Sequence, residues 1–197
     1  MTEPLRVALA DDEPLIRRWL EETFRDMGHL VVASAANGRE LVEACLRLRP
    51  TLVVSDIRMP VLDGIEAALA IARDAPAPII LVSAYHDEDL IARATASQVM
   101  GYLIKPIERP DLEAAVAIAC RRFQQLCDAQ RAAADLARTL EERKLIERAK
   151  GVLMKHAHLD EEQAHRRMQR MASDTNRKLA DVARLILAAQ EARDLFS

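Results

Sequence analysis

Aromatic residues are scarce in this chain: one Trp, two Tyr and three Phe among 197 residues. A core must therefore be filled by Leu, Ile, Val and Ala, within an apolar share of 50%. From Gln124 to Leu195 there is no aromatic side chain at all, so that half cannot hold nucleic-acid bases on aromatic platforms. Cysteine is equally thin. Three residues, Cys45, Cys120 and Cys127, are an odd number for a disulfide framework, and the latter two, seven apart on one expected helix, are about 10 Å apart along its axis, too far to bridge. No zinc-type spacing occurs. No apolar run reaches the roughly 18 residues of a membrane span, and the start Met1-Thr2-Glu3-Pro4 lacks the regions of a signal peptide, so a cytoplasmic protein without membrane contact is expected.

What the chain does contain is strand and helix in alternation. Four short apolar runs each end on a residue with chemistry: Leu5 to Ala10 on Asp11 and Asp12, Leu52 to Val54 on Asp56, Ile79 to Val82 on Ser83, and Tyr102 to Ile104 on Lys105. A fifth run, Leu30 to Ser34, ends blandly. Helical spacing separates the runs, which predicts an α/β fold with a doubly wound, five-stranded parallel sheet. In the order 2-1-3-4-5 the bland run is the edge strand, and the chemical residues meet at the carboxyl ends of neighbouring strands, where such sheets bind ligands.

The helices are read from their apolar stripes. Leu15, Ile16, Trp19, Leu20, Phe24 and Met27 form the first, stopped by Gly28; Leu41, Val42, Cys45, Leu46 and Leu48 form the second, between Gly38 and Pro50; Asp63 to Arg73 form the third. His86 to Asp89 read as an acidic helix start, with His86 solvated. From Asp111 to about His156 neither Pro nor a terminating Gly intervenes, which allows one long helix. Its heptad runs through Val116, Phe123, Gln130, Ala137 and Lys144, with Ala119, Leu126, Ala133, Leu140 and Glu147 as partners, a seam suited to a coiled-coil homodimer of modest strength. A helix packed on its own sheet near Val116 and solvated thereafter is the alternative. The last fifty residues read as three helices: the end of the long one, with Ile146, Ala149 and Leu153; one from Asp160, with Ala164, Met168, Met171 and Ala172; and one from Lys178, with Leu179, Val182, Ala183 and Ile186.

Three carboxylates, Asp11, Asp12 and Asp56, converging beside the single cation Lys105 would repel one another, and a hard divalent ion with oxygen ligands, Mg2+, is the natural remedy. Asp56 could then accept a phosphoryl group, with Ser83 and Lys105 holding its oxygens. A structural salt bridge of Lys105 to an Asp is the plainer reading.

The blocks ADDEPLIR, SDIRMPVLDG, the SAY of Ser83 to Tyr85, and YLIKPI of Tyr102 to Ile107 together resemble the receiver domain of bacterial two-component response regulators over residues 1 to 120. That resemblance implies a flavodoxin-like fold, phosphorylation of Asp56 by a sensor histidine kinase, Mg2+ held by Asp11, Asp12, Asp56 and the Arg58 carbonyl, phosphoryl contacts from Ser83 and Lys105, a switch pair of Ser83 and Tyr102, and a cis bond before Pro106. The C-terminal stretch from Leu145 to Leu187, with its AKGVLM at Ala149 to Met154, resembles the ANTAR domain, a three-helix RNA-binding antitermination module. Together these imply a receiver at 1–120, a coiled-coil linker at 121–141 and an RNA-binding domain at 142–197, in a regulator that is not an enzyme.

Charge supports a polyanion partner for the second half. From Arg143 to Lys178 ten basic residues face five acidic ones, although the whole chain carries a net charge of −3. Arg143, Lys144, Lys150, Lys155, Arg166, Arg170, Asn176, Arg177 and Lys178 are the expected contacts to RNA hairpins. Two other outputs fit the same chain: a helix-turn-helix that binds DNA, disfavoured by the mixed outer face of Lys178, Asp181, Arg184 and Glu191, and a phosphotransfer or protein-interaction module.

Overall fold

A computed structural model describes residues 3–84 and 99–194 of the chain. The SAY block's Tyr85 and the acidic stretch at His86 lie outside them. The chain divides into two compact units, Met1–Cys127 and Asp128–Ser197.

In the first unit, strands β1 (Arg6–Ala10), β2 (Leu30–Ala35), β3 (Leu52–Asp56), β4 (Ile79–Ser83) and β5 (Gly101–Ile104) form a parallel sheet in the order β2-β1-β3-β4-β5. Every residue of β3 and β4 is buried, as central strands covered on both faces require. One face packs Ala8, Val53 and Leu81 against α2 (Gly38–Leu48) and α3 (Gly64–Asp74). The other packs Leu9, Val54 and Val82 against α1 (Pro14–Asp26) and the start of α4 (Arg109–Ala157).

Local chemistry explains the boundaries. Pro14 opens α1, Asn37 caps α2 through the Glu40 N–H, and Asp63 caps α3 through the Glu66 N–H. Gly28 follows α1 in the left-handed region, at φ +82°, where glycine carries no steric cost. The expected cis bond is present between Lys105 and Pro106. Cys45 is fully buried, as a small hydrophobe, and burial pushes its thiol up to about 12.

Several side chains depart from their expected places. Leu15 is 84% exposed, and Leu46 and Met171 are also exposed, although each lies on a stripe assigned to a core. The long helix begins at Arg109, two residues before Asp111, which sits in its first turn. Val116 and Ala119 of the heptad are buried in the first unit's own core, whereas Ala133, Ala137 and Leu140 are exposed.

In the second unit, the end of α4, α5 (Glu161–Asp174) and α6 (Leu179–Asp194) enclose a small core of Ala149, Met168, Val182 and Ala183. Asp160 and Gln163 form a reciprocal capping box at the start of α5. The two turns between helices use left-handed residues, His158 at φ +50° and Asn176 at φ +51°.

Candidate functional site

Register aligns the strand ends. Ala10 pairs with Ser55, Asp56 with Val82, and Ser83 with Ile104, so Asp11, Asp56, Ser83 and Lys105 emerge together along the carboxyl edge of β1, β3, β4 and β5. Asp11 and Asp56 are both buried, and Asp56 is only 6% exposed. The Lys105 Nζ lies 3.0 Å from Asp11 Oδ2, 3.0 Å from Asp56 Oδ1 and 3.4 Å from Glu13 Oε1. Lys105 thus stands between the two carboxylates as their shared counter-ion.

The backbone fixes both acids. The Glu13 N–H donates to Asp11 Oδ1 at 2.9 Å, and the Arg58 N–H donates to Asp56 Oδ2 at 2.9 Å. Arg17 donates to the Asp11 carbonyl at 2.6 Å. Burial, with Asp11 nearby, holds the Asp56 carboxyl above its ordinary value despite the opposing pull of Lys105 and the Arg58 N–H. For Lys105, burial works against the charge, but the pairs with Asp11 and Asp56 outweigh it and raise its pKa. Two glycines make the loop possible. A Cβ on Gly64 would collide with the Asp56 carbonyl, and one on Gly38 would collide with the Leu62 carbonyl.

The residues suit Mg2+. Asp11 Oδ2 is the only buried side-chain oxygen or nitrogen among the described residues without a hydrogen bond; Lys105 meets it as a charge contact, outside hydrogen-bond geometry. Asp12 is exposed beside it. Among the described residues no three acidic, His or Cys side chains already surround one metal position. Asp11 and Asp56 thus present carboxylate oxygens at one sheet edge, with Asp12 open to water beside them, a donor chemistry that suits Mg2+ with several waters retained.

In the second unit the nine expected contacts separate into two groups. Lys150 is buried, with Nζ 2.9 Å from Glu147 and 2.8 Å from Glu161, so it ties α4 to α5 and is not an open cation. Lys144 pairs with Glu141, and Arg166 with Glu162. Arg143, Lys155, Arg170, Asn176, Arg177 and Lys178 are exposed. Three arginines, Arg166, Arg167 and Arg170, line a groove along α5 with Gln163 and Asp174. Arg167 and Arg148 were not singled out from sequence; the placing of Arg167 three residues, and of Arg166 four residues, before Arg170 was the available signal for the first.

Residues 7–117 match the response regulator receiver domain, and residues 134–187 match the ANTAR domain. Over 184 residues the chain is 40% identical to the transcriptional regulatory protein PdtaR of Mycobacterium tuberculosis, covering 93% of this chain and 90% of that one. This chain belongs to the response regulators. As a response regulator it carries an ANTAR output, the RNA-binding antitermination module. It also shares 40% identity over 117 residues with a protein-glutamate methylesterase/protein-glutamine glutaminase of Myxococcus xanthus, in a match that takes in 57% of this chain and 33% of that one. The receiver domain of NarL from Mycobacterium tuberculosis superposes with a TM-score of 0.57 at 28% identity, covering 61% of this chain and 98% of that one. No described helix of the regulator is long and apolar enough to cross a membrane.

Proposed function

We propose that phosphorylation of Asp56 by a sensor histidine kinase controls when the ANTAR domain engages RNA hairpins, and so regulates transcription antitermination. The carrying observation is the position of Lys105, shared at 3.0 Å by Asp11 and Asp56 on the sheet edge of a chain that continues into an ANTAR domain. In the transfer an Asp56 carboxylate oxygen forms the bond to phosphorus while the P–N bond of the donor phosphohistidine breaks, and the released imidazole takes up a proton. Mg2+, held by Asp11, Asp12, Asp56 and the Arg58 carbonyl, supplies neutralisation of the phosphoryl charge when bound. Lys105 follows the new charge and Ser83 donates to it.

Ser83 is buried at the end of β4, and Tyr102, half-buried on β5, packs against the cluster on the α2 and α3 face. Drawing Ser83 toward the phosphoryl group and Tyr102 inward biases a pre-existing equilibrium of the receiver, residues 1–120. The linker, residues 121–141, carries that bias by pairing with a second copy through Phe123, Leu126, Ala133 and Leu140. The RNA-binding domain, residues 142–197, reads it out through a subset of its open cations, to which Lys150 does not belong. The molecule works as a regulator and not as an enzyme.

Intact-mass measurement after treatment with acetyl phosphate and Mg2+ tests the first step: one phosphoryl group is gained by the wild type and none by Asp56→Asn. Equal RNA affinity of the phosphorylated protein and Asp56→Asn would sink the switch.

A further inference from the structure

The chain has five glycines, and four have a reason within the fold. Gly28 takes a positive φ, Gly38 and Gly64 admit backbone carbonyls, and Gly101 lies against Ile80, 3.3 Å from where its Cβ would be. Gly151 has none. It lies inside α4, exposed, and a Cβ there would meet no described atom within 4 Å. A glycine inside a helix weakens it relative to alanine, and the usual return is close approach of something to the backbone. Among the described residues of the second unit nothing makes that approach.

Its neighbours indicate what does. Arg148 and Lys155 stand three residues before and four after Gly151, on the same helix face and about 10 Å apart along the axis. Both are exposed, and neither holds a carboxylate among the described residues, unlike Lys144, Lys150 and Arg166. Arg148, Gly151, Lys155 and His156 line a groove whose opposite wall, on α6, carries Glu191. Cations on the α4 wall and a carboxylate on the other direct an anionic strand onto the helix at its bare position.

We propose that the Arg148–Gly151–Lys155 face of α4 is the seat of the RNA sugar–phosphate chain, with one phosphate on each cation and the ribose between them passing against the backbone at Gly151. This rests on the RNA-binding function and locates it away from the arginine groove of α5. The role of Gly151 is to leave room, so adding one methyl group strengthens the helix and obstructs the ligand.

The experiment uses full-length protein treated with acetyl phosphate and Mg2+, and a pool of hairpin RNAs with randomised loops, titrated across a range of salt concentrations. Gly151→Ala is expected to melt at a higher temperature than the wild type, keep its oligomeric state and bind the pool at least tenfold more weakly. Arg148→Gln and Lys155→Gln should each lower the slope of log affinity against log salt by about 1, while Arg167→Gln with Arg170→Gln leaves it unchanged. Wild-type affinity in Gly151→Ala, or a slope lowered only by the α5 pair, overturns the inference and leaves RNA binding standing. A changed oligomeric state in Gly151→Ala assigns the face to a second copy and also overturns it. No salt-dependent RNA affinity in the wild type removes the RNA-binding reading itself, and the inference with it.

Discussion

Lys105 Nζ stands 3.0 Å from Asp56 Oδ1, and this ion pair is nine-tenths or so withdrawn from water, with 14% of the lysine side chain and 7% of the aspartate side chain exposed. Among the described residues the same ammonium is the only cation that pairs with the Asp11 carboxylate. Asp11 and Asp56 therefore share one positive charge at this position.

Lys105→Met removes that charge and strands Asp11, which is fully buried. Loss of one partner of a buried pair typically costs about 3–5 kcal/mol. Urea unfolding at neutral pH should show a loss at the lower end of that range, because Asp56 retains the Arg58 N–H and Asp11 the Glu13 N–H. Phosphorylation by acetyl phosphate should fall with it; an unchanged unfolding midpoint would show that the carboxylates do not depend on Lys105.

Asp56→Asn should stabilise the protein at pH 7 in magnesium-free buffer. The Asp56 carboxyl is raised from its ordinary 3.8 by burial, so its contribution to stability is fully present below about pH 3.8 and is lost as the pH rises through the folded-state value. Asparagine carries no such penalty. The advantage of the variant, read from urea midpoints at a series of pH values, should shrink as the pH falls, and an advantage that grew toward acid would contradict the assignment.

Gly64→Ala should cost about 3 kcal/mol, because the new methyl group can be housed only by moving the Asp56 backbone. Circular dichroism melts check the stability. Phosphorylation rate checks the geometry, since the displaced atoms belong to the residue that accepts the phosphoryl group.

Cys45 should stay silent toward a thiol reagent near neutral pH for as long as the fold is intact, since burial lifts its thiol to about 12. Cys120 and Cys127 are partly exposed and should react. Three equivalents are expected only in denaturant, and a rapid third equivalent in the native protein would mean that α2 opens.

The strand ends were legible because a buried strand must be apolar and a ligand-binding end must not be. Asp11, Asp56, Ser83 and Lys105 each mark that change of composition, and the common doubly wound order that would bring them together is the one observed. Stripe width was less legible: spacing gives the direction of a helix face but not its edge, and Leu15, Leu46 and Met171 fall just outside the covered part. Lys150 illustrates a different obstacle. Its i−3 partner Glu147 is visible in sequence, but burial depends on Glu161, which belongs to the next helix and approaches only when α5 folds back. The heptad seam was read across a boundary that periodicity does not mark, and its first members, Val116 and Ala119, are taken up by the sheet.

The clasp formed by Gly38 and Gly64 around the β3–α3 loop also bears on how this segment can change over generations. With the Asp56 and Leu62 carbonyls hemmed in at both ends, neither the length of the loop nor its two glycines can drift. Room for change is left at Val61, which is 70% exposed and β-branched at φ +71°, where asparagine or glycine would be more at ease. Exchange of Val61 for asparagine would relieve that backbone and leave the acidic centre beside it as it is.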